Sequence, residues 1–442
     1  TTNSLKMFYK YIMGKEILFQ YFVIKIIVYL IYRIIRTIIH IESLIWMILK
    51  NIIYQEKEED DGNDVKVYDI LMRYKFYLTD PSKETDFICF FNSFTSYDKI
   101  ISSNNWHFYS LNNYYAYFIY LPQSYTFQSN SSFTTYTFKN GIFLAKVNAS
   151  DFLSTTNIVK NLQGKSIMLF DMPFSCVDDF LSLLYNLIPA PKHDDKIIKI
   201  FKDYSSLNSV LKIINTNDNL THEECKKILL NVIRCIMKNQ KNNEIWIIEM
   251  ASESISLIPY IHSPSTSSIL YAFYGRDKID QAILYYLKEH DYKDKQLKEL
   301  LVMRRKLKKF MTFFTWKTLF EKAILNRVKP QNPLQLALTL ISKSILDYRL
   351  HKKYFINDII YYEQFVSDPY ITLTHFLKNC GLLNQFTIPE ISSIKEHQVK
   401  RKFTENEIEE IRSIIGMIDL YGENKELFND SSITYHETDE YL

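Results

Sequence analysis

Ser166–Cys176 reads SIMLFDMPFSC. The short apolar run Ser166–Phe170, closed by the turn-prone Asp171-Met172-Pro173, reads as a strand buried on both faces; a strand with one wet face would alternate. Upstream, Ile142–Val147 reads as a strand and Asp151–Leu162 as a helix capped by Asp151 or Ser150. Downstream come a helix over Val177–Leu187, a helix over Glu223–Lys238, a strand over Glu244–Glu249 and a short helix over Ile255–Ile261. Ser268–Tyr274 is a further strand, closed by Gly275 and followed by a helix over Lys278–Glu289. Repeated strand–helix units of this kind predict a mostly parallel sheet covered by helices on both faces.

Before these units lie aromatic and β-branched runs at Phe87–Phe91, Trp106–Leu111 and Tyr114–Leu121, each strand-like. Phe133–Phe138 meets Ile142–Val147 across Lys139-Asn140-Gly141, which predicts a hairpin. Beyond Asp294 the spacing turns helical through Leu297, Leu300, Leu301, Leu307, Met311 and Phe314. Further helices are expected over Leu334–His351 and Thr404–Leu420, the last with a Thr404/Glu407 capping box. The expected fold class is α/β. It has an N-terminal membrane-associated helix (1–54), an acidic linker (55–64, QEKEEDDGND), an α/β domain (65–293) and a helical region with an acidic tail (294–442).

Composition narrows the function. Hydrophobic residues make up 47% and charged residues 23%, a globular balance, so extensive disorder is excluded. A net charge of +3 gives no whole-chain footprint for nucleic acid, and none is expected as a partner. With only 8 glycines, the chain has little of the backbone that phosphate-cradling loops need. Cys89, Cys176, Cys225, Cys235 and Cys380 are dispersed and form no CxxC, which argues against a disulfide framework or zinc site and for a reducing compartment. No cofactor or metal is expected; His193 beside Asp194-Asp195 lacks further ligands at metal spacing.

Ile17–Tyr54 is dominated by Ile, Leu, Val, Phe, Tyr and Trp. On a continuous helix, Lys25, Arg33, Arg36, His40 and Lys50 fall within an arc of roughly 100°. A single cationic stripe on an apolar helix suits an interfacial helix on anionic lipid; a membrane span or burial against a partner are the other readings. The run is too long for a signal peptide and no small-residue cleavage site follows. The main domain is therefore expected at an intracellular membrane.

Three pieces resemble the α/β-hydrolase superfamily over about residues 142–290. Asp171 and Pro173 match a family turn, with Phe174 and Cys176 where glycines are usual. The helix Glu223–Lys238, strand Glu244–Glu249 and Met250-Ala251-Ser252-Glu253-Ser254 resemble the helix–strand–elbow unit. Tyr274-Gly275-Arg276-Asp277 resembles the strand end bearing the catalytic acid. The resemblance implies Ser252 as nucleophile, Asp277 as acid and His290 as base in acyl transfer, with His351 and His375 as substitutes for the base. Met250 and Ser254 stand where an elbow has glycines, and Asn148-Ala149-Ser150 replaces the expected oxyanion-hole residues. Ser252 also reads as a helix cap, Asp171 as a turn-former and His290 as a helix-terminal residue.

The expectation is a membrane-anchored, catalytically degenerate hydrolase-like protein with a structural or interaction role, binding protein partners through its C-terminal helices. The alternative is a membrane-bound serine hydrolase, an esterase or lipase, acting on lipid-like esters. The basic run Arg304, Arg305, Lys306, Lys308 and Lys309 reads as a solvated helix face, a contact to anionic lipid, or a contact to RNA.

Overall fold

The computed structural model describes the backbone of residues 2–54, 64–127, 132–154, 164–173, 175–193, 195–217, 220–279, 283, 287, 291–315, 322–391, 394 and 403–419. The fold is mixed α/β, with a parallel sheet flanked by helices and helices toward the C-terminus. The acidic linker up to residue 63, the acidic tail, Asp194 and most of the helix expected over Lys278–Glu289, with His290, lie outside the described residues.

A long helix, α1 (Thr2–Tyr54), leads into an antiparallel sheet. The elements here are β1 (Asp64–Arg73), β2 (Phe87–Ser96), α2 (Tyr97–Ser102), β3 (Trp106–Leu111), β4 (Tyr115–Tyr120), α3 (Phe133–Asn140), β5 (Phe143–Asn148) and α4 (Ala149–Ser154). The strand order is β2-β1-β5-β4-β3, so the three aromatic runs expected as strands are β2, β3 and β4.

The expected hairpin at Lys139–Gly141 does not form. Phe133–Asn140 is a helix, capped by Ser132 Oγ, which accepts from Thr135 N at 3.0 Å. Gly141 has φ −64, so the Asn-Gly pair supplies no left-handed turn. A Cβ at Gly141 would sit 2.1 Å from Ile119 Cδ1, which shows that this glycine provides clearance for β4. The strand after it pairs antiparallel with β1 and β4 and is no part of the parallel sheet.

The parallel sheet begins at β6 (Lys165–Asp171). It is followed by α5 (Val177–Tyr185), β7 (Ile188–Pro189), β8 (Ile197–Phe201), α6 (Leu207–Thr216), α7 (His222–Met237), β9 (Glu244–Ala251), α8 (Ile258–Ile261) and β10 (Ile269–Gly275). Then come α9 (Asp291–Lys306), α10 (Met311–Phe314), α11 (Lys322–Val328), α12 (Pro333–Leu350), β11 (Ile360–Tyr361), α13 (Tyr362–Ser367), α14 (Pro369–Asn379), β12 (Phe386–Thr387) and α15 (Glu405–Asp419). The order is β11-β10-β6-β9-β8, with β6 central, as its unbroken apolar run requires. The Thr404/Glu407 box forms at the start of α15: Glu407 N donates to Thr404 Oγ1 at 3.3 Å and Thr404 N to Glu407 Oε2 at 2.9 Å.

One core joins the two sheets, packing Val65, Phe118 and Ala145 with Phe170, Trp246 and Phe273 around Leu229 and Val232 of α7 and Ile341 of α12. The opposite face of the parallel sheet presents Ile167, Leu169 and Ile247 to Phe180 of α5, Phe365 of α13 and Phe376 of α14.

The cationic stripe of α1 faces the protein, contrary to the expected lipid-facing stripe. Lys25 pairs with Glu299 at 2.9 Å, Arg36 Nε donates to Phe87 O at 3.1 Å, and Arg33 lies 4.7 Å from the Phe313 ring. Lys50 donates to Asn92 O, and Ser43 Oγ accepts from Phe91 N at 2.7 Å. These contacts cover the edge strand β2, whose free N–H and C=O groups would otherwise template another strand. Among the described residues no helix is long and apolar enough to cross a membrane.

Candidate functional site at the carboxyl edge of the parallel sheet

Open parallel sheets bind ligands beyond the carboxyl ends of their strands, where successive connections diverge. Here that point lies between β6, whose chain runs on toward β8, and β10, whose chain runs on toward β11. Asp171 ends β6, in register with Ala251 on one side and Tyr274 on the other. Ser252 and Asp277 thus leave the sheet on either side of β6, two strand spacings apart, or about 9–10 Å between backbones.

Ser252 opens a 3-10 turn that runs to Leu257, and it is 6% exposed. Its φ is not positive; among the described residues the left-handed non-glycines are Cys176, Asp203 and Lys329. The strained turn that presents a nucleophile is therefore missing at Ser252, and Met250 enters the core without conflict. Ser254, at the other expected glycine position, donates to Asn208 Oδ1 at 2.6 Å. Among the described residues Ser252 makes no hydrogen bond to a histidine.

Asp277 is exposed, and its backbone N donates to Glu363 Oε2 at 2.8 Å. The same carboxylate takes Arg276 Nε at 3.0 Å, and the guanidinium lies 4.4 Å from the Tyr362 ring. Arg276 is only 2% exposed, and its ion pair with Glu363 ties the ends of the neighbouring strands β10 and β11 together. Of the substitute bases, His351 ends α12 and His375 is exposed on α14. His290 lies outside the described residues, and the structure brings no described histidine to Ser252.

What the sequence reading missed is Glu249. It faces the same side of the sheet as Asp171, two residues back along the neighbouring strand. Burial holds both carboxyls well above the usual carboxylate range; repulsion by Asp203 and then Glu253 adds to it at Asp171, and repulsion by Asp171 and then Asp203 adds to it at Glu249. Asp203 N donates to Glu249 Oε2 at 3.2 Å, while nearby Lys202 pairs with Asp178 at 2.5 Å. The signal in the sequence was an acid inside EIWIIEM, a strand otherwise built for burial. Among the described residues no group of three or more His, Cys, Asp or Glu side chains could hold a metal ion. No protein-family model matches the chain, and no curated protein or solved structure matches it either.

Proposed function

We propose that this chain is a membrane-surface interaction protein, with α1 lying in the bilayer interface and the α/β body acting as a scaffold rather than a hydrolase. One observation carries the reading: α1 is inside out. Its cations and Ser43 meet the body, while ten isoleucines from Ile24 to Ile52 are exposed, Ile34 and Ile52 at 62%. Fully burying an isoleucine is worth roughly 1.5–3 kcal/mol, so leaving these half in water forgoes on the order of 10 kcal/mol.

The occupant is identified by the shape and chemistry of this face. It spans an arc of roughly 160° and about 40 Å of helix, wider than the roughly 100° stripe of a helix packed in a core. Protein interfaces mix aromatic and polar groups, whereas this face is aliphatic, with Thr37 and Glu42 as interruptions and Trp46 toward one end. Acyl chains suit it better than a folded partner or a second copy. At the sheet edge, the exposed Asp277 and the buried Ser252 on opposite sides of β6 support a scaffold over an acyl-transfer site.

The test is flotation of the full chain with vesicles of phosphatidylcholine and phosphatidylserine. Wild type should float, and Ile31→Asp with Ile38→Asp should reduce bound protein at least tenfold at unchanged circular dichroism and Tm. Undiminished flotation of the double variant would overturn the reading. So would a wild-type chain that stays off vesicles and instead self-associates through α1.

A further inference from the structure

The basic run after Leu301 is not a simple solvated helix face. The last turn of α9 supplies Arg304 and Arg305, and the following 3-10 turn supplies Lys308. The chain leaving α11 returns with Asn326, Lys329 and Gln331 to line an open surface pocket of about 370 Å³. Four cations line it and no carboxylate does. The Lys309 side chain lies outside the described residues.

The two arginines are held in place. Arg304 Nη2 donates to Leu325 O, and Arg305 Nη2 donates to Gln331 O and, at 2.8 Å, to Gln331 Oε1. Each fork keeps further N–H donors. Among the described residues Lys308 and Lys329 have no acidic or hydrogen-bonding partner for their ammonium groups. Lys329 ends α11 with φ +50, and this left-handed residue brings the chain back across the cavity. The carboxyl ends of α9 and α11 also lie here, each worth about half a negative charge, which is too little to neutralise four cations.

The position sets this cavity beside α1. Phe310, two residues after Lys308, is 63% exposed, and Phe313 packs against Tyr29 of α1 at 5.4 Å between ring centroids. Lys308 and Phe313 are separated by no more than about 10 Å of helical chain. The cations of α1 are spent on the body, so the headgroup contact that an interfacial helix ordinarily makes for itself has to come from other cations near it.

We infer that this cavity binds the headgroup of a membrane lipid carrying more than one phosphate. Arg forks match phosphate oxygens in pairs, and Lys308 and Lys329 add point charge, while Asn326 and Gln331 hold the arginine forks in place. A singly charged headgroup would leave most of that charge unanswered. The inference rests on the reading of α1 as an interfacial helix.

The experiment compares the full chain on three vesicle compositions: phosphatidylcholine alone, with phosphatidylserine, and with phosphatidylinositol bisphosphate at matched total charge. Wild type should bind the bisphosphate vesicles at least fivefold more than the serine vesicles. Lys308→Gln with Lys329→Gln should lower binding to the serine level while keeping it. The Ile31→Asp, Ile38→Asp variant should bind none, so loss of the helix and loss of the cavity give different patterns. Equal binding to both anionic vesicles, or a lysine variant that still prefers bisphosphate, overturns the assignment. Saturable binding of free inositol trisphosphate without any vesicle preference would make the ligand a soluble polyphosphate. Tighter binding of an RNA oligonucleotide through the same lysines would overturn the lipid assignment too.

Discussion

Lys25 Nζ lies 2.9 Å from Glu299 Oε2, and Tyr77 donates to the same oxygen at 2.8 Å, so one buried carboxylate fastens α1 to both β1's outgoing chain and α9. The ammonium also lies 3.9 Å from the Tyr77 ring centroid. Burial draws Lys25 below its ordinary value, and the Glu299 hydrogen bond and charge oppose that fall. Glu299→Gln would leave a largely buried cation without its counter-charge. We expect a loss of about 1–3 kcal/mol, with faster amide exchange along residues 20–52 than across β9. Uniform exchange in wild type and variant would show that α1 is held by apolar contacts alone.

Lys238 closes α2 from a distance. Its ammonium donates to Ile100 O at 2.7 Å, Ile101 O at 3.0 Å and Ser103 O at 2.7 Å, which are the carbonyls a helix end leaves open. Lys238→Met keeps most of the stem and strips all three bonds. The expected cost is about 1–3 kcal/mol in urea unfolding, and Lys238→Arg should recover part of it. A methionine variant as stable as wild type would mean that water serves these carbonyls equally well.

These two lysines mark where sequence reasoning worked and where it stopped. The run Ser166–Phe170, the helix Glu223–Lys238 and the Thr404/Glu407 box are local signals, and each became β6, α7 and the cap of α15. On α1 the periodicity placed the cations on one arc correctly, but only the distant Glu299, Phe87 and Asn92 turn that arc inward. Gly141 misled for a related reason. Its purpose is space for Ile119, a neighbour that no local pattern names. Phe133, in the helix that replaced the hairpin, stacks on Tyr204 at 4.7 Å, a tertiary contact that outweighs the weak helix propensity of Thr and Tyr. The placing of Asp171 and Glu249 on one face of the sheet likewise needed the parallel register of β6 and β9.

That acidic pair predicts a pH dependence. Both carboxyls titrate higher in the folded chain than in the unfolded one, so between their ordinary range near pH 4 and their raised folded values the folded state binds more protons. Stability contributed by the protonated form is complete below the unfolded values and is lost as pH rises through the folded ones. Glu249→Gln removes one ionising partner and keeps an acceptor for Asp203 N. It should raise the urea midpoint at pH 7 and flatten the fall in stability above pH 4. A variant less stable than wild type at pH 7 would show that the ionised Glu249 is favoured where it sits.

Ser252 decides between scaffold and enzyme. An activated serine needs a base within hydrogen-bond reach and a turn that exposes its oxygen; Ser252 is 6% exposed at the head of a 3-10 turn. Wild type, shown to be folded, should take up no fluorophosphonate label over hours. Ser252→Ala should change stability by no more than about 1 kcal/mol, because among the described residues the Ser252 hydroxyl makes no hydrogen bond. Labelling that vanishes in Ser252→Ala would establish an activated serine and restore acyl transfer, with lipid esters at the α1 interface as the first substrates to assay. Labelling that persists in the variant would place the reactive group elsewhere, and mapping the modified peptide would locate it.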